Sequence, residues 1–392
     1  MINFDFEKNC YGCRNCENIC PKKAIEIKEN REGFLMPEID KNKCINCGLC
    51  DKKCPYLTYK EKNDIRKNIW YSAFLKDVAQ REKSTSGGIF PALADYVISK
   101  NGLVCGCVWD ENMKPIHILT NNPQDILRMS GSKYMQSDLR DVVKEIKNKI
   151  NNQMILFTGT PCQVAAVKNI VGEHENLYTI GLICEGVGPY KVWNLYKDFL
   201  EKQKKSKMIN ASFRNKEIGW DSPVARYEFE SNKKIKVLSF EYDMYVRGFL
   251  QALYYRKSCN NCQYKGNGHN SDILIGDLWG ATNEQLEETN YKGISAVILN
   301  TEKGKKIFEL VQNKFAFSSI NPEKVIEHNK LLMRPKEENK NRKNFYNNLE
   351  TTNIVKNIKQ NTENNKIKRI LKEILYKLKV FRIIKKVRLG GK

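Results

Sequence analysis

The run Cys10-x2-Cys13-x2-Cys16-x3-Cys20-Pro21 returns as Cys44-x2-Cys47-x2-Cys50-x3-Cys54-Pro55, each cysteine 34 residues after its counterpart. In a run of this form three close-set thiolates hold one 4Fe–4S cube, and the fourth reaches across to a second cube. The spacing therefore assigns Cys10, Cys13, Cys16 and Cys54 to one cluster and Cys44, Cys47, Cys50 and Cys20 to the other. A disulfide framework leaves the repeated Cys-Pro unexplained, and zinc knuckles use two Cys pairs rather than four-cysteine runs. The chemistry predicted is one-electron transfer.

Six further cysteines remain: Cys105, Cys107, Cys162, Cys184, Cys259 and Cys262. Cys259-x2-Cys262 has metal-ligand spacing. Met154–Phe157 reads as a buried strand, followed by Thr158-Gly159-Thr160-Pro161-Cys162 and a helix, with Thr160 suited to the N-cap and Pro161 to the first helical position. Cys184 directly follows the next apolar run, Tyr178–Ile183. A strand–helix–strand crossover makes the two strands parallel, so Cys162 and Cys184 leave the sheet at one edge, where α/β proteins place their chemistry. With Cys259 and Cys262 they supply four thiolates, enough for another 4Fe–4S cluster. Zinc fits the same four, but a chain already carrying two cubes favours iron. The alternative is that Cys162 and Cys184 are ordinary buried cysteines. Cys105 and Cys107 alternate in one strand and read as small core residues.

Two glycine-containing turns stand before helices. Ser84-Thr85-Ser86-Gly87-Gly88 precedes a helix with apolar Ile89, Leu93 and Val97; such a start can offer bare N–H groups to a phosphate, or be merely a capped helix. Ser130-Gly131-Ser132-Lys133-Tyr134 offers a cation and a ring to an anionic cofactor or a flavin face, though such turns also decorate ordinary surfaces. Gly276-Asp277 ends the Asp272–Ile275 strand and either faces the same cleft or is a simple turn. The four histidines form no triad or metal pattern, and no Walker lysine motif is present.

These groups need elements to hold them. Between Trp70 and Val311 short apolar runs alternate with amphipathic ones, the pattern of an α/β or α+β domain. Candidate strands are Trp70–Leu75, Leu103–Trp109, Met154–Phe157, Tyr178–Ile183, Asp272–Ile275 and Ala296–Leu299. Candidate helices are Ile89–Ser99, Asp138–Ile150, Gln163–Val171, Lys191–Gln203 and Gly304–Asn313. Small strands around Ala24–Ile27 and Gly33–Ile39 would shield the first two clusters. A charged stretch at 60–69 reads as a linker, and the Asn- and Lys-rich stretch 336–365 as a solvated or poorly ordered connector.

The 392 residues carry a formal charge of +22, of which 366–392 hold +10. That tail spaces Ile367, Ile370, Leu371, Ile374, Leu378 and Phe381 as one helical face among lysines and arginines. A basic amphipathic helix can lie on an anionic membrane surface; the alternative is a helix packed on its own domain or on a partner subunit. The remaining charge is dispersed and no nucleic-acid-binding motif is visible, so nucleic acid is excluded as a partner. The start MINFDFEKNC is no signal peptide, no run spans a bilayer, and reduced cysteine runs point to the cytoplasm, with membrane association through the tail as the exception.

The first module resembles a bacterial two-cluster ferredoxin. The ordered set STSGG (84–88), GSKY (131–134), FTGTPCQ (157–163), IGLIC (180–184), SCNNC (258–262) and IGD (275–277) resembles the family of coenzyme F420 hydrogenase/dehydrogenase beta subunits over roughly 70–311. That resemblance implies residues 1–59 as the ferredoxin domain and a mixed α/β flavoprotein domain beyond the linker, with its N-terminal part at 70–150 and its C-terminal part at 151–335. It implies Cys162, Cys184, Cys259 and Cys262 as ligands of a third cluster. Ser86, Gly87, Gly88, Ser132, Lys133 and Tyr134 become candidates for a flavin or acceptor pocket, with Thr158, Gly159 and Thr160 in its floor and Lys133 and Tyr134 as the catalytic candidates. FAD is the implied flavin, and coenzyme F420 or another small molecule the implied acceptor. The connector and basic tail are similar to features of bacterial members found with polysaccharide-synthesis enzymes.

Two functional expectations follow. One is an iron–sulfur flavoenzyme with a ferredoxin or a redox-enzyme subunit as its partner, passing electrons through its ferredoxin-type clusters to a deazaflavin or another small acceptor. The other is a non-catalytic electron-transfer subunit that wires a separate hydrogenase or dehydrogenase.

Overall fold

The structure is a computed structural model that describes residues 4–62 and 64–363; the basic helix expected at 366–392 lies outside them. Each cysteine run closes on a short helix, Asn15–Ile19 and Leu49–Lys53. Between the runs lies an antiparallel hairpin of β1 (Ile25–Glu29) and β2 (Leu35–Ile39), with Ile25 opposite Ile39. After Pro55 no matching second hairpin follows among the described residues. Instead Tyr56 and Tyr59 pack beside Tyr11 and Tyr264, so the abbreviated half of the module is completed by the main domain.

The main domain is built on an eight-stranded mixed sheet. Its strands are β3 (Ile69–Leu75), β4 (Leu103–Trp109), β5 (Pro115–Thr120), β6 (Ile155–Gly159), β7 (Leu177–Leu182), β11 (Ile273–Asp277), β12 (Ser295–Leu299) and β13 (Phe315–Ser319), in the order β13-β3-β12-β11-β7-β6-β4-β5. The central four, β4, β6, β7 and β11, are mutually parallel. Their carboxyl ends therefore share one edge, as the crossover argument requires. Strands covered on both faces read as unbroken apolar runs, and every residue of β12 is buried. Period-two alternation sorts the side chains: Val104 and Leu156 join the core under helices Ile89–Ser99 and Glu302–Val311. Cys105, Ile155 and Phe157 join the opposite core, under helices Val142–Lys149 and Pro161–Val171.

A second body inserts between β7 and β11. Helix Tyr190–Lys204 and the antiparallel meander β8 (Met208–Asn215), β9 (Val224–Phe229) and β10 (Lys234–Leu238) enclose an aromatic core. Trp193, Phe213, Tyr227, Tyr245 and Tyr254 form its centre.

Residues 336–363 correct the expectation of a solvated connector. Helices Arg342–Asn347 and Ile354–Asn361 pack Phe345, Leu349, Ile354 and Ile358 into the aromatic core. The Asn-rich composition misled because these asparagines work internally. Asn357 is fully buried and donates to the Phe345 carbonyl (3.0 Å), and Asn361 donates back to Asn357. Arg342 then grips the ferredoxin hairpin through Glu32, at 2.7 Å and 2.5 Å.

A smaller correction concerns the helix expected from Asp138, which begins only at Val142. Asp138 is 2% exposed and pairs with Arg14 of the ferredoxin module (2.5 Å and 2.9 Å). The linker 60–69 is also tethered: Lys62 donates to the Asn267 carbonyl and Ile65 is buried.

Candidate iron–sulfur and acceptor sites

The ferredoxin module holds two clefts, and each gathers one predicted set of thiols. One is lined by Cys10, Cys13, Cys16 and Cys54 with Tyr11, Ile27 and Pro37 around them. The other is lined by Cys44, Cys47, Cys50 and Cys20 with Ile25, Ile45 and Leu49. Each cleft takes its fourth cysteine from the opposite run. Short helices make this exchange: Asn15–Ile19 and Leu49–Lys53 carry the third cysteine and turn the fourth toward the neighbouring cleft.

Cys162, Cys184, Cys259 and Cys262 also converge. Cys162 sits in the first turn of helix Pro161–Val171, behind a capping box in which Thr160 and Gln163 satisfy each other's ends. Cys184 leaves the carboxyl end of β7, beside β6, so the parallel pairing brings both thiols to one edge. Helix Lys257–Asn260 carries Cys259, and Cys262 follows it. Burial, then the charge of Cys262, pushes the Cys162 thiol up to about 12. Burial raises Cys184 to about 11, with the Lys265 ammonium opposing. Burial and the other three thiolates raise Cys259 further.

This chemistry tests the fit of a cube. Four desolvated thiolates repel one another, and a multivalent iron core is what removes that cost; metal ligation is coupled to thiol deprotonation. Four thiolates are also a zinc donor set; the two neighbouring four-cysteine sets of the first module are what favour iron here.

The third thiol set adjoins the first. Tyr264 donates to the Pro55 carbonyl (2.7 Å) and meets Tyr11 edge-on at 5.6 Å. Burial raises the Tyr264 pKa, and the charges of Cys162, Cys13, Cys262 and Cys54 raise it further, so one ring lies within electrostatic reach of both sets. Arg256, 1% exposed, donates to the Cys10 carbonyl (2.8 Å) and to Gln136 (3.0 Å), and its charge reaches Cys162. The loop is pressed so close that a Cβ on Gly12, at φ +64°, would lie 2.4 Å from the Gln136 amide.

The two glycine-rich turns meet, since the Ser132 backbone N–H donates to Thr85 Oγ1 at 3.0 Å. The glycines of the first are explained by packing. A Cβ on Gly87 would come within 2.5 Å of the Ala73 carbonyl, and the Gly87 N–H is already given to Ser295 Oγ (2.9 Å). Gly88 caps helix Ile89–Ser99 in the left-handed region. Ser86 Oγ donates to the Ile294 carbonyl (2.9 Å). Lys133 donates to the carbonyls of Arg128 and Gly131 (3.0 Å each), and burial lowers its pKa. Thr158 presents its carbonyl to His117, whose pKa burial drops to about 4. Gly159 and Thr160 lie between that contact and Cys162, with Thr160 Oγ1 at 3.2 Å from the Cys162 sulfur.

Tyr134 stands apart from this packing role. Its ring is stacked between Phe249 (4.6 Å) and Phe213 (5.3 Å) and remains part-exposed. Burial raises its pKa while the neighbouring Arg214 guanidinium opposes. Arg214 pairs with Asp277 at 2.8 Å, at the end of β11, and Trp220 Nε1 donates to the same carboxylate (2.8 Å). Lys216 Nζ donates to the carbonyls of Arg81, Ser86 and Lys292, and burial lowers its pKa to about 7. Asp277 thus belongs to a polar cluster and is more than a turn residue. Arg14, Gln136, Arg214, Lys216, Arg256 and Tyr264 were not singled out from the sequence. The one available signal was Arg256, three residues before Cys259.

Comparisons with known proteins agree with this arrangement. Residues 9–57 match the model of the 4Fe-4S dicluster domain. Residues 70–144 match the N-terminal model, and 152–324 the C-terminal model, of the coenzyme F420 hydrogenase/dehydrogenase beta subunit. One subunit of the F420H2 dehydrogenase of Methanosarcina mazei is 24% identical over 319 residues, 78% of this chain and 83% of that protein. The coenzyme F420-dependent sulfite reductase of Methanocaldococcus jannaschii is 24% identical over 165 residues, 41% of this chain and 25% of that protein. One chain of the F420-reducing [NiFe] hydrogenase complex of Methanosarcina barkeri superposes with a TM-score of 0.45 and 19% identity, over 69% of this chain and 93% of that one. This chain belongs to the family of coenzyme F420 hydrogenase/dehydrogenase beta subunits and carries a 4Fe-4S dicluster domain at its N-terminal end.

Proposed function

We propose that this chain is an iron–sulfur electron-transfer subunit of an F420-type hydrogenase or dehydrogenase complex, holding three cubes and an acceptor site in sequence. Cys10, Cys13, Cys16 and Cys54 would hold the inner cube, Cys44, Cys47, Cys50 and Cys20 the outer one, and Cys162, Cys184, Cys259 and Cys262 the third. When bound, such cubes supply single-electron exchange, and a flavin supplies its conversion to electron pairs. The observation that carries this reading is Tyr264, one ring within reach of the inner and third thiol sets. Helix Pro161–Val171 serves both: Cys162 opens it, and its Ala166 carbonyl accepts from the buried Asn15 of the ferredoxin module (2.8 Å).

The second reading, a flavoenzyme that itself reduces a small acceptor, is favoured by the cluster of Tyr134, Arg214 and Asp277. Arg214 and Lys216 would stabilise an anionic ring or phosphate there. Tyr134, its ring held between Phe249 and Phe213, would offer its hydroxyl edge beside Arg214, and Lys133 with Ser132 would position the loop beneath. FAD and F420 are the ligands this reading proposes, with a carbohydrate-derived acceptor as the variant suggested by the family's polysaccharide-associated members.

Iron analysis and paramagnetic resonance on anaerobically purified protein test the proposal. About twelve irons are expected, and about eight in Cys162→Ser/Cys262→Ser. Equal iron in both would end the third-cluster assignment. Extracted-flavin analysis and a screen of F420, flavins and sugar nucleotides against the dithionite-reduced protein then separate the two readings.

A further inference from the structure

Among the described residues the main domain covers the inner cleft of the ferredoxin module and touches the outer run only at Lys53, whose ammonium donates to the Asn169 carbonyl (2.6 Å). Around the inner thiol set, Tyr11 is buried under Ala165 and Tyr264, and the Cys10 carbonyl accepts from both Arg256 and Ser258. The outer cleft is lined by residues 20–50 alone, with none from the main domain. Cys47 is exposed there, and Ile45 is an exposed apolar side chain at 58%.

Lysines flank that cleft. Lys22 lines it, and Lys23, Lys41, Lys43 and Lys52 lie within three residues along the chain of residues that line it. All five are exposed. Lys43 is paired with Asp40 (3.3 Å), and no ion pair engages the other four among the described residues. Exposed lysines beside one apolar side chain and a set of four thiols have the composition of a weak, electrostatically steered encounter surface.

We propose that the outer edge of the ferredoxin module is the docking surface for a small acidic one-electron carrier protein. The carrier's carboxylates face the lysines, and Ile45 supplies an apolar contact beside them. A cube held by Cys44, Cys47, Cys50 and Cys20 would exchange one electron with the carrier, one partner oxidised and the other reduced by one, with no bond made or broken. This inference rests on the electron-transfer reading, and adds the partner's charge and the place where it binds.

The test is binding, measured by calorimetry across a salt series, between the iron-loaded full chain and a purified acidic bacterial ferredoxin. The variant is Lys22→Glu/Lys41→Glu/Lys52→Glu. A charge-matched control reverses Lys202, Lys205 and Lys207, exposed residues at the far end of helix Tyr190–Lys204. At low salt the variant is expected to bind at least about tenfold more weakly and to lose most of the salt dependence, with the control close to wild type. Equal weakening of variant and control, wild-type affinity in the variant, or binding to phosphatidylserine vesicles but not to the carrier each overturns the inference. Iron content and paramagnetic resonance are read on the same samples. A fully loaded protein that ignores the carrier sinks the docking surface alone, whereas a protein without clusters sinks the electron-transfer reading with it.

Discussion

Around Cys10, Cys13, Cys16 and Cys54 the backbone is clamped by Arg256, Ser258, Gln136 and Asn15, and burial with mutual repulsion drives the Cys13 and Cys16 thiols upward. Around Cys44, Cys47, Cys50 and Cys20 the neighbours are the module's own Ile25, Ile45 and Leu49, with lysines at the rim. One cysteine pattern, written twice, thus ends in two environments. Cluster potentials depend on burial, net charge and hydrogen bonding, so identical ligands need not have identical potentials. The difference shows that here the surroundings, rather than the ligand spacing, distinguish the inward thiol set from the outward one.

Four perturbations bear on that difference, taken from the largest expected effect down. Arg256→Gln removes a buried guanidinium that bonds Gln136, the Cys10 and Leu35 carbonyls and the Met36 sulfur, and lies over Phe34 at 5.0 Å. The expected loss is on the order of 4 kcal/mol in denaturant unfolding. The inner and third sites should also fall in potential, because a nearby cation favours the reduced state, while the outer site holds. Equal shifts at all three sites in a resonance-monitored titration would erase the contrast between the two ends.

Arg14→Ala leaves the buried Asp138 carboxylate with the Arg140 backbone N–H (3.0 Å) and Lys114 (3.6 Å), and should cost about 3 kcal/mol in the same unfolding experiment. Burial acts to raise the Asp138 pKa, but the Arg14 bonds and charge outweigh it and the net direction is down. A depressed folded pKa contributes stability that is present above the unfolded value of about 4 and lost as pH falls through the folded one. Wild type and Arg14→Ala should therefore converge in stability below about pH 4. A constant gap across that range would show that the pair does not carry the docking.

Glu32→Gln loosens the clamp from Arg342 and is expected to cost about 2 kcal/mol, since the Tyr255 carbonyl still holds the guanidinium (3.2 Å). Proteolysis should then begin at the hairpin β1–β2 before the main domain. Ile45→Ala is the smallest perturbation, within about 0.5 kcal/mol on stability. A large loss there would mean that the outer edge is packed after all.

Much of the chemistry was legible in the chain as written. Cysteine spacing alone predicts the exchange of fourth ligands, and each cleft gathers the expected four. Chain order and right-handed crossovers were enough to bring Cys162 and Cys184 to one edge, because parallel strands must end together. The glycine turns were less legible. Gly87 looks like a phosphate cradle until β3 and β12 are in place, and then it is a glycine because two strands leave no room for a Cβ. The Asn-rich stretch 336–363 failed for a related reason: asparagine reads as solvated until its amide finds a buried carbonyl, as Asn357 does at Phe345.

What the amino-acid order determined by itself is which thiols are grouped and the direction in which the central strands carry them, since covalent spacing and backbone handedness are local properties. Which end of the module faces inward was decided only by tertiary structure. Arg14 and Asp138, Arg256 and Cys10, and Arg342 and Glu32 are each more than 120 residues apart, and only folding brings these pairs together. A charge far along the chain has no signature beside its partner, and its effect exists only once water is excluded between the two.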